Sequence, residues 1–435
     1  MNGPCTKVLV VGAGMAGLAA ALRLRDAGVD VTVVDPAGAG GKAGSFEPAP
    51  GWRIETGPHT FTHRAEPVFR FAERLGMADR LVLGGKAASA RYLVRGGRLL
   101  RGSPFSGLLS LREWASVAAG FFRTGPVDGT VADWLRRTFG EGIAAGPGGA
   151  ATVGIWAARP EEIAFADGFP ALAAALERHG SLFRAARAAA PAVRAKGTWG
   201  FPGGIGELVA AAAHAVGGVQ RQRVFGLAPM AGGGWNAVGV GIFDRVIVAA
   251  EAPSAARLLR DWPDVSVPLS AIATSPLLAV HWTAPDAAFP AGFGYLSPPS
   301  EGREVLGTLF TSDVHPERAP AGERSFCTLV GGTLRPDRVE MDTQAAEACL
   351  RAEHLALTGQ PVRLSRVHLV RHPHAVALPG PGHRDRVRRI RGALPAGLDV
   401  AGSWMGSGAA PDALASGEAA ADRVLAEKGR VRDVA

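Results

Sequence analysis

Cysteine is scarce in this chain, and the three that occur lie far apart. Cys5, Cys327 and Cys349 are the only cysteines among 435 residues. Their number and spacing predict neither a disulfide framework nor a zinc motif, both of which need closely spaced or evenly paired cysteines. We therefore predict a protein of a reducing compartment, the cytoplasm, without a metal site.

Long apolar runs are also missing. No uninterrupted apolar stretch reaches the roughly 20 residues that a membrane-spanning helix requires. The sequence therefore predicts no transmembrane segment.

Lysine is rare, with five among the 47 basic residues, and the arginines are scattered along the chain. No nucleic-acid recognition motif accompanies the net charge of +8, so we predict no nucleic-acid partner. The charge leaves open a peripheral contact with an anionic membrane, on the inner face of the cell membrane. The sequence also leaves a homodimer open.

The N-terminus carries a glycine pattern between two short apolar runs. Residues 8–11 and 31–34 are typical of buried parallel strands, and the Ala-rich segment 15–27 between them is typical of a helix. Glycines spaced G-x-G-x-x-G permit a tight turn and close approach to a pyrophosphate, and an acid after the second strand suits a ribose. The predicted dinucleotide contacts are Gly12, Gly14, Met15, Ala16, Gly17 and Asp35.

A second glycine-rich loop follows Asp35 where a crossover helix would otherwise continue. It leads into a strand-like stretch, residues 52–54, and then into Glu-Thr-Gly-Pro-His at 55–59. This arrangement resembles the FAD-binding half of the flavin amine oxidase superfamily. The resemblance implies pyrophosphate and flavin contacts by Gly40, Gly41, Lys42, Gly57, Pro58 and His59. Lys42 stands where those proteins usually have arginine, which keeps the charge but not the planar fork.

The C-terminal segment 397–425 reads as a strand, a glycine-rich loop and an Ala-rich helix. A helix N-terminus carries a partial positive charge that would stabilise an anionic reduced flavin. Further cofactor contacts are predicted at Gly402, Ser403, Gly408 and Ala409. This loop has no cysteine, so FAD is expected to be bound non-covalently.

The middle of the chain changes character twice. Residues 105–190 have mainly helical patterns, interrupted by a predicted turn at 154–163, whereas 223–225, 271–282, 304–310 and 325–330 look like strands. We predict an α/β protein with a discontinuous Rossmann-like FAD domain of the glutathione reductase and amine oxidase type. It comprises residues 1–75, 197–262 and 375–435. A helical insert facing substrate or membrane (76–196) and a substrate domain with a mixed sheet (263–374) complete it.

Several further motifs resemble the oxygen-dependent protoporphyrinogen and coproporphyrinogen oxidases, nearly end to end. These are Gly-Phe-Gly-Tyr-Leu-Ser-Pro at 292–298, the segment 305–312, the glycine pair 331–332 and the turn at 378–383. Carried over by this resemblance, Arg91 pairs with a porphyrin propionate and the Gly154 carbonyl meets pyrrole N–H groups. Phe293 and Leu296 sandwich a pyrrole ring, and the Val224 backbone, in a strand, holds the adenine.

The resemblance implies an FAD-dependent oxidase of haem biosynthesis. It would convert protoporphyrinogen IX or coproporphyrinogen III to the porphyrin in a six-electron oxidation with O2 as acceptor. No catalytic side chain is identified, because hydride transfer to the flavin needs no dedicated strong base. A desaturase of the phytoene type, an amine oxidase and a non-catalytic tetrapyrrole-binding flavoprotein stay open. An amine oxidase would want an aromatic cage, and the only tyrosines are Tyr92 and Tyr295.

Overall fold

The computed structural model describes residues 7–103, 106–189 and 194–432. Its strands are β1 Lys7–Val11, β2 Asp30–Val34, β3 Ser45–Ala49, β4 Trp52–Glu55, β5 Phe61–Thr62, β6 Val82–Leu83, β7 Arg91–Arg95, β8 Arg98–Arg101, β9 Thr198–Gly200, β10 Gly226–Pro229, β11 Trp235–Val238, β12 Gly241–Phe243, β13 Arg245–Val248, β14 Thr274–Ala284, β15 Gly294–Leu296, β16 Val305–Leu309, β17 Arg324–Gly331, β18 Arg366–Ala377 and β19 Leu398–Val400.

Its α-helices are α1 Met15–Asp26, α2 Glu66–Arg74, α3 Leu111–Gly120, α4 Val131–Phe139, α5 Glu141–Ile143, α6 Gly149–Trp156, α7 Phe165–Gly168, α8 Pro170–His179, α9 Leu182–Ala188, α10 Gly206–Ala215, α11 Ala252–Leu258, α12 Pro263–Ser270, α13 Thr311–Val314, α14 Thr343–Thr358, α15 His383–Gly392 and α16 Ala410–Arg432. None of the helices in the described ranges is long and apolar enough to cross a bilayer.

A parallel sheet with the strand order β19-β13-β1-β2 forms the first layer. β1, one of the two central strands, is apolar on both faces, and its residues Val8, Leu9 and Val10 are fully buried. This is expected where helices cover both sides of a parallel sheet. α1, α2, α10 and α16 contribute to the core on one face, and α11 and α12 to the core on the other. The predicted Rossmann-like α/β fold is confirmed.

The four strands of this sheet come from all three segments predicted for the FAD domain. Residues beyond those segments also join its cores, since Val265 and Leu269 of α12 pack with Val246 and Val248 of β13. The division into domains stays a prediction.

A mixed sheet with the strand order β18-β14-β17-β16-β15-β7-β8 forms the second large layer. β15 and β7 are parallel, and the other neighbours are antiparallel. α14 packs against one face through Ala346 and Leu350, and α6 packs against the other through Val153. The strands predicted at 271–282, 304–310 and 325–330 correspond to β14, β16 and β17.

Two local predictions were wrong. The turn expected from residue 154 begins at Ala157, whose left-handed backbone (φ 50°) ends α6. The strand expected at 223–225 starts at Gly226 instead. Val224 therefore lies just before β10. The predicted helical insert also contributes β7 and β8 to the mixed sheet.

Helices α1 and α16 approach so closely that a side chain at Gly417 has no room. A Cβ at Gly417 would lie 2.0 Å from the Ala16 carbonyl oxygen. We predict that Gly417→Ala lowers the free energy of unfolding by about 1–3 kcal/mol, because overpacking forces the two helices apart. Gly392→Ala is the matched control, since a Cβ at Gly392 meets nothing within 4 Å. Urea denaturation would contradict this prediction if both variants were equally stable.

Candidate functional site

The turn between β1 and α1 is built for close backbone approach. Gly12 adopts φ 106°, and a Cβ there would lie 2.6 Å from the Ala249 carbonyl oxygen. A Cβ at Gly17 would lie 1.8 Å from the Gly12 carbonyl oxygen. Met15 and Ala16 are buried in the first turn of α1, so only backbone groups of these two residues can meet a ligand.

Asp35 lies beside this turn, at the carboxyl end of β2. Its carboxylate accepts hydrogen bonds from the backbone N–H groups of Ala13 at 3.0 Å and Ala37 at 2.8 Å. The structure thus places Asp35, the residue predicted to bind ribose, beside the glycine turn. Its contact with ribose stays a prediction.

The second glycine loop lies against the first. The Gly40 N–H donates to the Ala13 carbonyl at 2.9 Å, and Gly40 forms an isolated parallel bridge with Gly14. Lys42, the predicted phosphate contact, pairs with Glu251, with its Nζ 2.8 Å from a Glu251 carboxylate oxygen. Glu251 lies shortly after β13, a neighbour that the sequence did not reveal.

The segment 55–59 is hydrogen-bonded tightly to that loop. The Thr56 backbone N–H donates to the Gly44 carbonyl at 2.8 Å, and the Thr56 hydroxyl donates to the Lys42 carbonyl at 3.1 Å. A Cβ at Gly57 would lie 2.1 Å from the Lys42 carbonyl oxygen. Gly57 is therefore required for the close contact between the two predicted flavin-binding loops.

Glu55 anchors this segment through a buried ion pair. Glu55 is 1% and Arg318 is 2% exposed, and a guanidinium nitrogen lies 3.0 Å from the carboxylate. The carboxylate also accepts from the Ser45 hydroxyl and from the Ile205 backbone N–H. Burial raises the pKa of Glu55, and the Arg318 charge opposes that rise.

Arg318 also connects this ion pair to two neighbouring loops. Its guanidinium donates to the Phe201 carbonyl at 3.2 Å and to the His59 carbonyl at 3.4 Å. Sequence reasoning missed Arg318 because nothing near it in the chain resembles a site motif.

Two histidines of the mixed sheet hold the same segment from the other side. His372 of β18 donates through Nε2 to the Thr56 carbonyl, and the His281 ring of β14 is hydrogen-bonded to the Glu55 backbone. Burial, together with the nearby His368, lowers the pKa of His281 to about 3. His281 is therefore neutral at physiological pH.

The C-terminal loop is held by hydrogen bonds within itself and to the start of α16. The Gly402 N–H donates to the Ser416 hydroxyl at 2.9 Å, and the Gly408 N–H donates to the Ser403 carbonyl at 3.1 Å. Asp412 accepts from the backbone N–H groups of Ser407 at 2.8 Å and Ala409 at 3.3 Å. A carboxylate thus already offsets part of the positive end of α16, where the sequence predicted flavin stabilisation.

Val224 has free backbone groups. Neither its N–H nor its carbonyl has a hydrogen-bond partner among the described residues. Its side chain packs on the core beside β13. Together with the close glycine contacts at positions 12, 17 and 57, these free groups fit a dinucleotide cofactor that approaches the backbone directly.

The four predicted substrate residues converge on one side of the mixed sheet. The Arg91 guanidinium lies 4.1 Å from the centre of the Phe293 ring, and β7 pairs with β15 so that Arg91 faces Gly294. A Cβ at Gly154 would lie 2.9 Å from the Leu296 side chain.

Gly154 is exposed and occupies the last turn of α6. Its carbonyl has no hydrogen-bond partner in the described parts of the chain, as expected of the final carbonyls of a helix. The same turn of α6 is connected to the C-terminal loop, because the Trp156 indole donates to the Ser407 carbonyl at 2.7 Å.

Comparison with known proteins gives one matching family. The sequence profile described as "Flavin containing amine oxidoreductase" matches residues 15–425. A mitochondrial protoporphyrinogen oxidase of Nicotiana tabacum is 26% identical, covering 96% of this chain and 94% of the tobacco protein. A coproporphyrinogen III oxidase of Mycobacterium leprae is 28% identical, covering 97% and 98% respectively.

The fold has close counterparts among solved structures. A protein of Exiguobacterium sp. 255-15, provisionally assigned as a protoporphyrinogen oxidase, superposes with a TM-score of 0.83 at 19% identity. The superposition covers 97% of this chain and 99% of the other. A zeta-carotene desaturase of Synechocystis is 36% identical, but only over 110 residues, 23% of this chain.

The buried ion pair yields a prediction for stability. Arg318→Met is expected to lower the free energy of unfolding by about 3–5 kcal/mol, because it leaves the Glu55 carboxylate buried without its partner. Arg53→Met is the control, since Arg53 and Glu47 form an exposed pair that contributes at most about 1 kcal/mol. Denaturant unfolding measures both. Adding Glu55→Gln to Arg318→Met should recover part of the loss, and a double variant less stable than Arg318→Met would contradict the assignment.

Proposed function

This chain belongs to the flavin-containing amine oxidoreductase family, and from that premise we propose that it oxidises a porphyrinogen to the porphyrin with O2 as acceptor. As a family member it is an FAD-dependent oxidoreductase. Bound FAD supplies hydride acceptance and passes electrons on to the acceptor.

The observation that carries the proposal is the unpaired carbonyl of Gly154, a residue whose Cα lies against the Leu296 side chain. A porphyrinogen presents pyrrole N–H donors at its centre, apolar rings around them and carboxylates at its rim. A free carbonyl can accept from the pyrrole N–H groups, an apolar side chain can pack against the rings, and a guanidinium can pair with a carboxylate. We assign these three roles to Gly154, Leu296 and Arg91, on the basis of the close approach of Gly154 to Leu296 and the pairing of β7 with β15.

The proposed chemistry needs little from ionisable side chains. His59 at the end of the segment 55–59 and the buried His281 beside it both have a lowered pKa, because removal from solvent disfavours the charged ring. Neutral rings leave the site without a strong acid. Ring N–H protons can then leave to solvent as the macrocycle is oxidised, which agrees with the lack of an identified catalytic base.

The test is a fluorescence assay on the purified flavoprotein. Protoporphyrinogen IX and coproporphyrinogen III are offered separately in air, and the proposal expects porphyrin fluorescence with release of hydrogen peroxide. The faster substrate identifies the physiological class. If the bound flavin stays oxidised when either substrate is added in the absence of oxygen, the proposal is contradicted.

A desaturase is the second candidate, because the partial match to zeta-carotene desaturase is more identical than the end-to-end matches. The anaerobic flavin assay distinguishes the two. Flavin reduction by a polyene such as phytoene, and by neither porphyrinogen, would favour the desaturase.

We extend the proposal to peripheral contact with an anionic bilayer. α3, α9 and the residues after α3 expose apolar side chains, with Leu111 89% and Phe122 63% exposed. The Phe122 and Phe183 ring centres lie 4.8 Å apart. Exposed arginines flank these rings, namely Arg112, Arg123, Arg184 and Arg187. An apolar face with a basic rim suits insertion between anionic headgroups.

Vesicle co-sedimentation measures this contact. We predict that Phe122→Ser weakens binding to anionic vesicles about 5- to 10-fold, since it removes one inserted aromatic ring. Phe225→Ser is the control, because Phe225 is 65% exposed but lies outside these helices. Equal effects of the two variants, or no binding by the unaltered protein, would refute the contact.

Arg91 provides the sharpest substrate prediction. Arg91→Ala should raise KM for a propionate-bearing porphyrinogen about 10- to 100-fold, because a charge-assisted hydrogen bond is lost. FAD content should not change, and Arg91→Lys should restore part of the affinity. Arg98→Ala is the matched control, since Arg98 is exposed on the neighbouring strand β8. Loss of flavin with an unaltered KM would assign Arg91 to the cofactor instead.

A further inference from the structure

Three nitrogen and sulfur donors meet where the segment 55–59 contacts the mixed sheet. His281 of β14 and Cys327 of β17 are directly paired across the two antiparallel strands, so both side chains project from the same face. His59 reaches them from the loop. One donor atom from each of the three lies within 4.8 Å of the other two.

The distances approach those of a coordination sphere. The Cys327 sulfur lies 3.9 Å from His281 Nε2, and the rings of His59 and His281 have centres 5.6 Å apart. A tetrahedral zinc, with bonds of about 2.0 Å to nitrogen and 2.3 Å to sulfur, separates two such ligands by roughly 3.6 Å. A shift of a few tenths of an ångström by Cys327 and about an ångström by His59 would complete the geometry.

One donor in this cluster lacks a partner. His59 Nδ1 is buried and makes no hydrogen bond within the described residues. A buried nitrogen without a partner is unfavourable. A metal ion bound at this nitrogen would supply the missing partner.

The second ligand is held as metal-binding histidines usually are. The His281 ring is hydrogen-bonded to the Glu55 backbone. In metal sites such a bond fixes the ring orientation and its tautomer. The arrangement is thus more than three donors that happen to be close.

We propose that His59, His281 and Cys327 bind a borderline divalent cation of the Zn2+ class, with a fourth position open to water. The metal–sulfur bond forms as the Cys327 thiol releases its proton to solvent, and both imidazoles bind as neutral donors. The ion would tie the segment 55–59 to the mixed sheet. This proposal does not depend on which substrate the flavoprotein oxidises.

The experiment uses the intact FAD-loaded protein after treatment with a chelator. Titration with Co2+ is expected to produce tetrahedral absorption bands in the red, where oxidised flavin does not absorb, saturating at one equivalent. Zn2+ should then displace Co2+. X-ray absorption of the zinc form should show one sulfur and two nitrogen ligands. Absence of saturable binding, or a shell of oxygen alone, overturns the proposal.

Variants assign the ligands. Cys327→Ser and His59→Asn should each weaken metal binding at least ~100-fold. Loss of a residue that only supports a ligand by a hydrogen bond weakens metal affinity by at most about that factor. Cys349→Ser is the matched control, because Cys349 lies on α14, outside the cluster. Circular dichroism reports whether each variant folds. His59→Asn, whose residue is only half-buried, keeps the test valid if Cys327→Ser does not fold. Unchanged binding in a folded variant, or equal weakening by Cys349→Ser, contradicts the assignment.

Discussion

The buried ion pair between Glu55 and Arg318 is the constraint on which the arrangement of the site depends. Glu55 ends a strand of the cofactor-binding part, and Arg318 belongs to the segment between two strands of the mixed sheet. Two charges away from water are tolerated only when each is hydrogen-bonded and paired. Because Ser45, Ile205 and Phe201 supply those bonds, the ion pair is tied to the start of β3 and to the loop between β9 and α10. The ion pair therefore couples the loops predicted to bind the cofactor to the mixed sheet.

Charge compensation continues along the predicted cofactor path. Lys42 is paired with Glu251, and Asp412 accepts from N–H groups at the start of α16. The chain thus reaches this path with few uncompensated charges, while its histidines are neutral through burial. Arg91, by contrast, lies exposed on β7, the strand beside the edge strand β8 of the mixed sheet.

The part of the fold that was predictable is the part encoded locally. β1, α1 and β2 follow from an apolar run, an Ala-rich helix and glycines whose spacing has a steric meaning. β18 escaped prediction because three histidines, two arginines and a proline interrupt its apolar residues. The end of α6 was misplaced because its glycine and aromatic residues resemble a turn, and only Ala157 ends the helix. In each case tertiary contacts overrode the local pattern.

The site shows the same division between local and distant information. Glycines 12, 17 and 57 could be identified because each belongs to a short motif that is recognisable in the sequence. Arg318, His372 and the donors around Cys327 could not, because each reaches the segment 55–59 from a distant strand or loop. Widely spaced cysteines argue against a zinc motif only when the ligands are neighbours in sequence. Ligands need not be neighbours in sequence when a sheet brings them together. The antiparallel pairing of β14 with β17 places His281 opposite Cys327, whatever the number of residues between them. A metal site assembled by sheet register is thus one that spacing rules cannot detect.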